Sequence, residues 1–157
     1  MTAKAIRQCA GSAHIRPFNP YRDLGDLANL MAVAFADELA STGSRIVQDM
    51  RQMALYGPLL PFIGMAMPSF TGFVWIEDGK MVGNVTLTQE NEELGIWAIS
   101  NVAVLPEFRG RGIAGQLVDV AIEHARRSRG TRIVLQVRAG NQPALALYQR
   151  RGFTRFD

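Results

Sequence analysis

The segment that most constrains this chain covers residues 100–115, with the sequence SNVAVLPEFRGRGIAG. Val102 to Leu105 form an apolar run rich in β-branched residues, which is typical of a buried strand. Pro106 ends this strand because it has no N–H for a ladder, and Gly110 and Gly112 precede a helical pattern. Amides in the first turn of a helix lack internal partners, and the helix dipole adds partial positive charge there. The segment therefore predicts an anion site, most naturally for a phosphate or pyrophosphate.

The charge of the chain is concentrated in the same region. From Pro106 onward the sequence has ten arginines and four acidic residues, a balance of +6, whereas the whole chain carries only +3. An acidic small ligand is therefore favoured. The arginines are not interleaved with aromatic residues and no nucleic-acid-binding motif is present, so we expect no nucleic acid partner.

Length and composition predict one globular domain over residues 1–157, of which residues 1–12 are expected to be partly disordered. The apolar content of 48% and charged content of 20% argue against general disorder. Cys9 is the only cysteine, and His14 and His124 have no ligand spacing, so we expect no disulfide and no metal site. The first residues lack an apolar signal core, which makes a cytoplasmic location the default expectation.

An uncharged stretch runs from residue 53 to residue 76 and requires a membrane check. Three prolines and three glycines interrupt it, which makes a single membrane-spanning helix improbable. One interpretation is a buried loop followed by a strand. The other is an apolar wall of a substrate cleft or a subunit interface.

Hydrophobic periodicity predicts the element order β-α-α-β-β-β-α-β-α-β. Asp78-Gly79 is a strong hairpin signal, Gly130 is expected to close a helix, and Asn141 is expected to cap another. The predicted helices cover residues 21–39, 45–56, 113–129 and 142–151. The predicted strands cover residues 14–18, 70–77, 80–89, 94–105 and 131–138, with a truncated last strand over 153–157. This order indicates an α/β (α+β) fold, a mixed sheet with helices on both faces.

Gly110, Gly112 and Gly115 also satisfy the pattern GxGxxG of dinucleotide-binding proteins. That fold needs the first glycine directly after the strand and an acidic residue at the end of the next strand. Here residues 106–109 intervene, and Gln136 and Arg138 occupy the region where the acid is expected. A P-loop is disfavoured as well, because no Gly-Lys-Ser/Thr follows.

Two motifs occur in order over residues 99–153. Arg109, Gly112 and Ala114 match the pattern Arg/Gln-x-x-Gly-x-Gly/Ala at a strand-to-helix turn. The second motif, Asn-x-x-Ala-x-x-Leu-Tyr followed by Gly-Phe, is matched by Asn141, Ala144, Leu147, Tyr148, Gly152 and Phe153. With both motifs, the chain resembles the GNAT superfamily of acetyl-CoA-dependent N-acyltransferases.

The resemblance implies a binding site for acetyl-CoA. In that family the amides of the turn hold the pyrophosphate, two neighbouring strands splay apart, and the pantetheine arm pairs with the exposed strand edge. The same resemblance implies that Asn141 contacts this arm in addition to capping its helix, and that Gly115 lets the helix start pack closely. The implied cofactor-binding residues are Val102, Ala103, Val104, Arg109, Gly110, Arg111, Gly112, Ile113, Ala114, Gly115 and Asn141.

The implied reaction is transfer of an acetyl group to a primary amine of a small molecule or peptide, with Tyr148 as general acid. The alternative for Tyr148 is a half-buried core residue. Many relatives that acetylate peptide N-termini carry a glutamate where Gln136 stands, so the general base is open. The other candidates are Glu90, Glu92 and Glu93, expected near the sheet opening, or water. Asp37 and Glu38 are candidates for recognising a cationic acceptor.

The chain stops soon after the Gly-Phe pair, where family members continue with a strand or hairpin. We therefore expect either a missing C-terminal segment of a longer protein or a partner chain, as in a homodimer, that supplies this strand. A non-catalytic coenzyme A-binding or sensing module is the rival hypothesis, which Gln136 and the short terminus favour. A structural or partner-binding domain without ligand is the third.

Overall fold

The structure is a computed structural model, and it describes residues 14–56 and 71–156. The expectations for the first thirteen residues, for residues 57–70 of the uncharged stretch and for Asp157 lie outside these ranges. None of the helices within them combines the length and the apolar character needed to cross a bilayer.

The described residues form five strands and five helices in the predicted general order, with one additional helix near the start. The strands are β1 (Ile15–Pro17), β2 (Thr71–Glu77), β3 (Lys80–Asn91), β4 (Ile96–Val104) and β5 (Arg132–Leu135). The helices are α1 (Pro20–Ala34), α2 (Ala36–Thr42), α3 (Ile46–Tyr56), α4 (Ile113–Arg127) and α5 (Gln142–Gln149).

The sheet has the strand order β1-β2-β3-β4-β5. All neighbouring strands pair antiparallel except β4 and β5, which are parallel. The hairpin between β2 and β3 turns at Asp78 and Gly79, whose φ angles of 49° and 76° are both left-handed. These angles are those of a two-residue turn that matches strand twist, so the hairpin prediction is confirmed.

Both faces of the sheet are covered. Every residue from Met81 to Leu87 on β3 is buried, although neighbouring side chains on a strand point to opposite faces. Helix α1 packs on β3 and β4, and α4 packs on β2, β3 and β4 through Leu117, Val118 and Ala121. The predicted mixed sheet with flanking helices is therefore confirmed.

Two helix predictions need correction. The first predicted helix is divided at Phe35, whose φ and ψ of −118° and 27° leave the helical region, giving α1 and α2. Helix α4 does not use Gly130 as its left-handed closing residue. Arg129 adopts the left-handed conformation with φ of 61°, and the Gly130 amide donates to the Ala125 carbonyl at 2.8 Å.

Two strand predictions also need correction. The strand predicted over residues 131–138 ends at Leu135, because β4 pairs with it only as far as Ile99. Residues 153–156, expected to begin a last strand, have no strand conformation. Within the described ranges no neighbouring strand offers these residues a ladder, and an isolated strand has no source of stability.

A buried carboxylate joins β1 to α1. Asp23 is only 2% exposed. It accepts two hydrogen bonds from the Arg16 guanidinium at 2.6 and 2.9 Å and a third from the Asn19 amide at 2.8 Å. Burial alone would raise the pKa of Asp23, but the hydrogen bonds from Arg16 and Asn19 outweigh it and lower the pKa below the ordinary value of 3.8.

We expect Asp23→Asn to lower the free energy of unfolding by about 3 kcal/mol, because it leaves Arg16 without its charged partner. We choose the lower end of the usual range for a broken buried pair because the Arg16 side chain is still 32% exposed. Urea unfolding at pH 7 measures this loss, with Asp26→Asn on the exposed side of α1 as the matched control.

The Arg16–Asp23 pair also predicts how the stability of the fold changes at low pH. Since the folded pKa of Asp23 is lowered, its stabilisation is complete above 3.8 and is lost as the pH falls through the folded value. The stability difference between wild type and Asp23→Asn should therefore shrink below pH 3.8. A difference that stays constant there would contradict the assignment.

Candidate functional site

The turn between β4 and α4 is open on its outer side. After β4 the chain makes one 3-10 turn over Pro106–Phe108 and then enters α4 through Gly110 and Gly112. Both glycines have φ of 77°, a conformation that other residues adopt only with strain. A Cβ atom added at either position would meet no atom within 4 Å. Glycine is therefore required by the backbone angle, and the space beside the turn is free.

The amides of this turn are available as donors. Within the described residues, no oxygen accepts a hydrogen bond from the amides of residues 110–115. The first helical bond of α4 runs from the Gln116 amide to the Gly112 carbonyl at 3.1 Å. Arg109 is different, because its amide already donates to the Pro106 carbonyl at 3.2 Å. The expectation of free amides over residues 109–114 thus agrees with the structure from Gly110 to Ala114 and is corrected for Arg109, and the Gly115 amide is free as well.

The two arginine side chains brace the turn. The Nε of Arg109 donates to the Val104 carbonyl at 3.1 Å, which ties the turn back to the end of β4. The guanidinium of Arg111 lies 4.8 Å from the ring centre of Phe108. Its terminal nitrogens lie 3.3 Å from the Glu107 carbonyl and 3.7 Å from a Glu77 carboxylate oxygen. Glu77 offsets part of the Arg111 charge, whereas Arg109 has no carboxylate partner among the described residues and adds positive potential at the turn.

A bulge bends β4 beside this turn. Asn84 pairs with Ala103 and Thr86 pairs with Ser100, so residues 101 and 102 of β4 together oppose a single residue of β3. Asn101 takes the left-handed conformation with φ of 49°. The side chain of Asn84, 1% exposed, donates to the Asn101 carbonyl at 3.1 Å and approaches the Thr86 hydroxyl at 3.4 Å. A buried side chain therefore holds the bulge in place.

The bulge opens a gap between the two parallel strands. β4 pairs with β5 only from Ile96 to Ile99, and its second half continues without β5. The Leu105 amide donates to the Val82 carbonyl on β3 at 2.9 Å. Because backbone groups alternate along a strand, those of Ala103 also point to β3, and those of Val104 point to the gap.

These directions refine the predicted strand edge. Ala103, one of the implied cofactor-binding residues, has its backbone groups directed to β3 and offers none of them to the gap. The Val104 carbonyl is occupied by Arg109, and the Val104 amide remains on the gap side. Val102 lies in the same unpaired half of β4.

The residues considered as general base lie at opposite ends of the β4–β5 strand pair. Gln136 follows β5 directly and is exposed, at the start of the gap. Asn91 pairs with Ile96, so Glu90, Glu92 and Glu93 lie at the closed end of the β4–β5 pair. Ser100, where the gap begins, is four residues further along β4, about 13 Å at the usual rise per residue. The expectation that these glutamates lie near the opening is therefore wrong, because strand register puts them elsewhere.

Helix α5 carries the second motif. The Asn141 side-chain oxygen accepts from the Ala144 amide at 3.2 Å, which confirms the predicted cap. The side-chain nitrogen of Asn141 makes no hydrogen bond within the described residues, so one group can cap the helix and the other can bind a ligand. Asp37 and Glu38, the candidates for cation recognition, both lie on α2.

Tyr148 lies near the end of α5 with its ring packed edge-on to Phe153 at 5.8 Å between centres. Its side chain is 9% exposed, and burial raises the pKa of its hydroxyl. In the described ranges the hydroxyl has no hydrogen-bond partner, and Trp97 Nε1 is the only fully buried side-chain nitrogen or oxygen without one. Because burial raises its pKa, the Tyr148 hydroxyl is protonated at neutral pH.

Sequence reasoning missed several residues that shape this site. Asn84 is the most detectable, because an amide within the apolar run of β3 needs a buried partner. The pairing of Arg151 with Asp119 joins residues far apart in the chain, so no local pattern indicates it. Across the described residues, no three His, Cys, Asp or Glu side chains are grouped closely enough to hold a metal ion.

The model of the acetyltransferase (GNAT) family matches residues 30–153, which include the turn, the bulge and α5. The chain belongs to the acetyltransferase (GNAT) family. This is a family of acetyltransferase enzymes, and the recognition made from the two motifs is confirmed.

A curated relative agrees with this membership, and solved structures share the fold. The mycothiol acetyltransferase of Thermobispora bispora is 32% identical over 146 residues, covering 90% of this chain and 46% of its own. The chain thus spans less than half the length of that relative. Ribosomal-protein-alanine N-acetyltransferase from Brucella melitensis has a TM-score of 0.67 at 23% identity, covering 91% of this chain and 85% of its own. PaiA N-acetyltransferase from Thermoplasma acidophilum, solved with coenzyme A, has a TM-score of 0.66 at 14% identity, covering 91% of both chains.

We expect Gly112→Ala to weaken binding of inorganic pyrophosphate, because a side chain disfavours the φ of 77° that aims the neighbouring amides. The strain of about 1–2 kcal/mol corresponds to roughly a tenfold loss of affinity, measured by calorimetry. Gly43→Ala is the matched control, since Gly43 has φ of 62° and open surroundings at the end of α2. Equal losses in both variants would contradict a specific role for the turn.

Proposed function

We propose that this protein transfers an acetyl group from acetyl-CoA to a primary amine. The observation that carries the proposal is the run of unpaired amides over residues 110–115, beside the gap that the bulge opens in the sheet. Converging amides at a helix start suit a pyrophosphate, and a strand edge without a ladder suits an extended amide-bearing arm. Coenzyme A has both parts in one molecule. Family membership supports the same co-substrate.

In this proposal, different backbone and side-chain groups bind the pyrophosphate and the arm of coenzyme A. The amides of Gly110 to Gly115 receive the pyrophosphate, and Arg109 and Arg111 hold the turn and supply nearby charge. The Val104 amide and the backbone of Val102 receive the arm at the gap, and the side-chain nitrogen of Asn141 donates to it. This set differs from the motif-based expectation in excluding the Arg109 amide and Ala103.

Acetyl-CoA supplies the reaction with a thioester whose acetyl carbon an amine can attack. The carbon–nitrogen bond forms, the carbon–sulfur bond breaks, and the sulfur leaves as a thiolate that needs a proton. Tyr148 supplies that proton, since burial keeps its hydroxyl protonated at neutral pH and no group among the described residues occupies it as a hydrogen-bond partner. Solvent water returns the proton to Tyr148 and removes the one that the amine loses.

The acceptor is defined here only as a primary amine. The relatives named above act on mycothiol or on a ribosomal-protein alanine, according to their names, so they do not agree on one acceptor. Gln136 at the start of the gap cannot accept a proton, and the glutamates of the β3–β4 turn lie at the closed end of the strand pair. The amine therefore loses its proton to water in this proposal.

Gln136 also favours a second candidate, a module that binds coenzyme A without catalysis. The two functions make different predictions for the same purified protein. We expect acetyl-CoA to raise the melting temperature, and a panel of small amines and peptides to release free thiol from it. Thiol release is followed with a thiol reagent, and acetylated product by mass. A thermal shift without turnover on any amine would favour the module.

We expect Tyr148→Phe to lower kcat by about 10²-fold, because the leaving thiolate loses its proton donor. The Kd for coenzyme A should stay within about twofold, since the ring and its packing on Phe153 are retained. Tyr21→Phe is the matched control, because Tyr21 lies on α1 and is 38% exposed. Full turnover in Tyr148→Phe would reject the acid role.

A further inference from the structure

Arg151 lies three residues after Tyr148, just beyond the end of α5, and the proposed mechanism does not use it. Its Nε and one terminal nitrogen donate to the two carboxylate oxygens of Asp119 on α4, at 2.7 and 3.0 Å. Its other terminal nitrogen donates to the Leu147 carbonyl on α5 at 3.3 Å. The Arg151 side chain is 21% exposed and that of Asp119 is 39% exposed. One guanidinium therefore joins the two helices, with Nε and one terminal nitrogen bonded to α4 and the other terminal nitrogen bonded to α5.

The start of α4 is shaped to receive this guanidinium. A Cβ atom at Gly115 would lie too close to an Arg151 terminal nitrogen, so a side chain there would force the end of the Arg151 side chain to shift. Gly115 is the last of the residues with unpaired amides, and Asp119 lies one turn further along the same helix. The close packing expected at Gly115 is therefore a contact with the Arg151 side chain, which follows the end of α5.

Helix α5 needs such an anchor. It has only eight residues, and residues 136–141 that lead into it have no regular structure. Among the described residues, Arg151 makes the only side-chain hydrogen bonds between the end of α5 and α4. A bidentate arginine–carboxylate pair fixes distance and orientation together, which a single point charge does not.

We propose that Arg151 and Asp119 are positioning residues that hold α5, and with it Tyr148, against the amide-bearing start of α4. This inference rests on the proposed acetyltransfer, because it assigns the pair to the step in which Tyr148 acts. In this role the pair acts through Tyr148 and takes no part in the proton transfer itself. It sets the distance between the proton donor and the pyrophosphate turn that holds the other end of the co-substrate.

We call the bidentate Arg151–Asp119 pair and its hold on α5 the clamp. Hydrogen exchange in the full chain tests whether this clamp exists. We expect Arg151→Gln and Asp119→Asn to speed exchange of the α5 amides by about tenfold, with little change in the core strand β3. Arg150→Gln removes the same charge one residue earlier, where the exposed Arg150 side chain has no partner in the described residues, and should leave exchange unchanged. Arg151→Lys should fall between, because lysine cannot form the bidentate pair.

Kinetics then separate positioning from general stability. We expect Arg151→Gln to lower kcat by about 10-fold to 100-fold, the usual effect of a small misplacement, with the KM for acetyl-CoA within about threefold. In a Tyr148→Phe background the same substitution should lower kcat by less than about threefold, because the displaced hydroxyl is already absent. A loss of equal size in both backgrounds would overturn the positioning role.

The outcomes distinguish this inference from the proposed function. Unchanged α5 exchange in both Arg151→Gln and Asp119→Asn would overturn the clamp, whatever the activity. Normal turnover in Tyr148→Phe would overturn the acid role alone, and the exchange data would still decide whether the clamp exists. No turnover in the wild-type chain on any amine would reject acetyltransfer and, with it, the catalytic part of this inference.

Discussion

The site depends first on one buried hydrogen bond, from the Asn84 side chain to the Asn101 carbonyl. Asn84 lies in the covered middle of β3, so an unpaired amide there would cost about 1–3 kcal/mol. Its bond to Asn101 satisfies the amide and keeps the β4 backbone in a bulge that regular pairing would remove. β4 and β5 part from Ser100 onward, directly after their last pair, Ile99 with Leu135, and the bulge follows at residues 101 and 102. Without that separation the sheet would have a closed surface at this point.

The rest of the site follows from a division between backbone and side chains. The backbone supplies the donors, through the amides of residues 110–115 and the free half of β4. Side chains mostly set the shape: Arg109 ties the turn to Val104, and Arg151 ties α5 to α4. The amides of this turn have no acceptor within the described residues, so a pyrophosphate can bind them without breaking an internal hydrogen bond.

Prediction from the sequence succeeded where the signal is local. The Asp78-Gly79 hairpin, the Asn141 cap and the glycine turn each depend on backbone preferences of neighbouring residues, and all three are present. It failed where the outcome depends on partners far along the chain. Glu90 was expected near the opening, yet the register between β3 and β4 puts it at the closed end. The Arg109 amide was expected to be free, yet a 3-10 turn occupies it.

The sequence by itself determined the family, the general order of the elements up to α5 and the position of the glycine turn, because glycine spacing, hydrophobic period and helix caps act within a few residues. Only the tertiary structure decided which donors remain free, where the sheet opens and what holds Tyr148. Those properties depend on contacts between segments that are far apart in the chain. Examples are the hydrogen bonds from Asn84 to Asn101 and from Arg151 to Asp119. Such long-range contacts are set by the packing of the whole sheet and its helices, and no local sequence pattern encodes them.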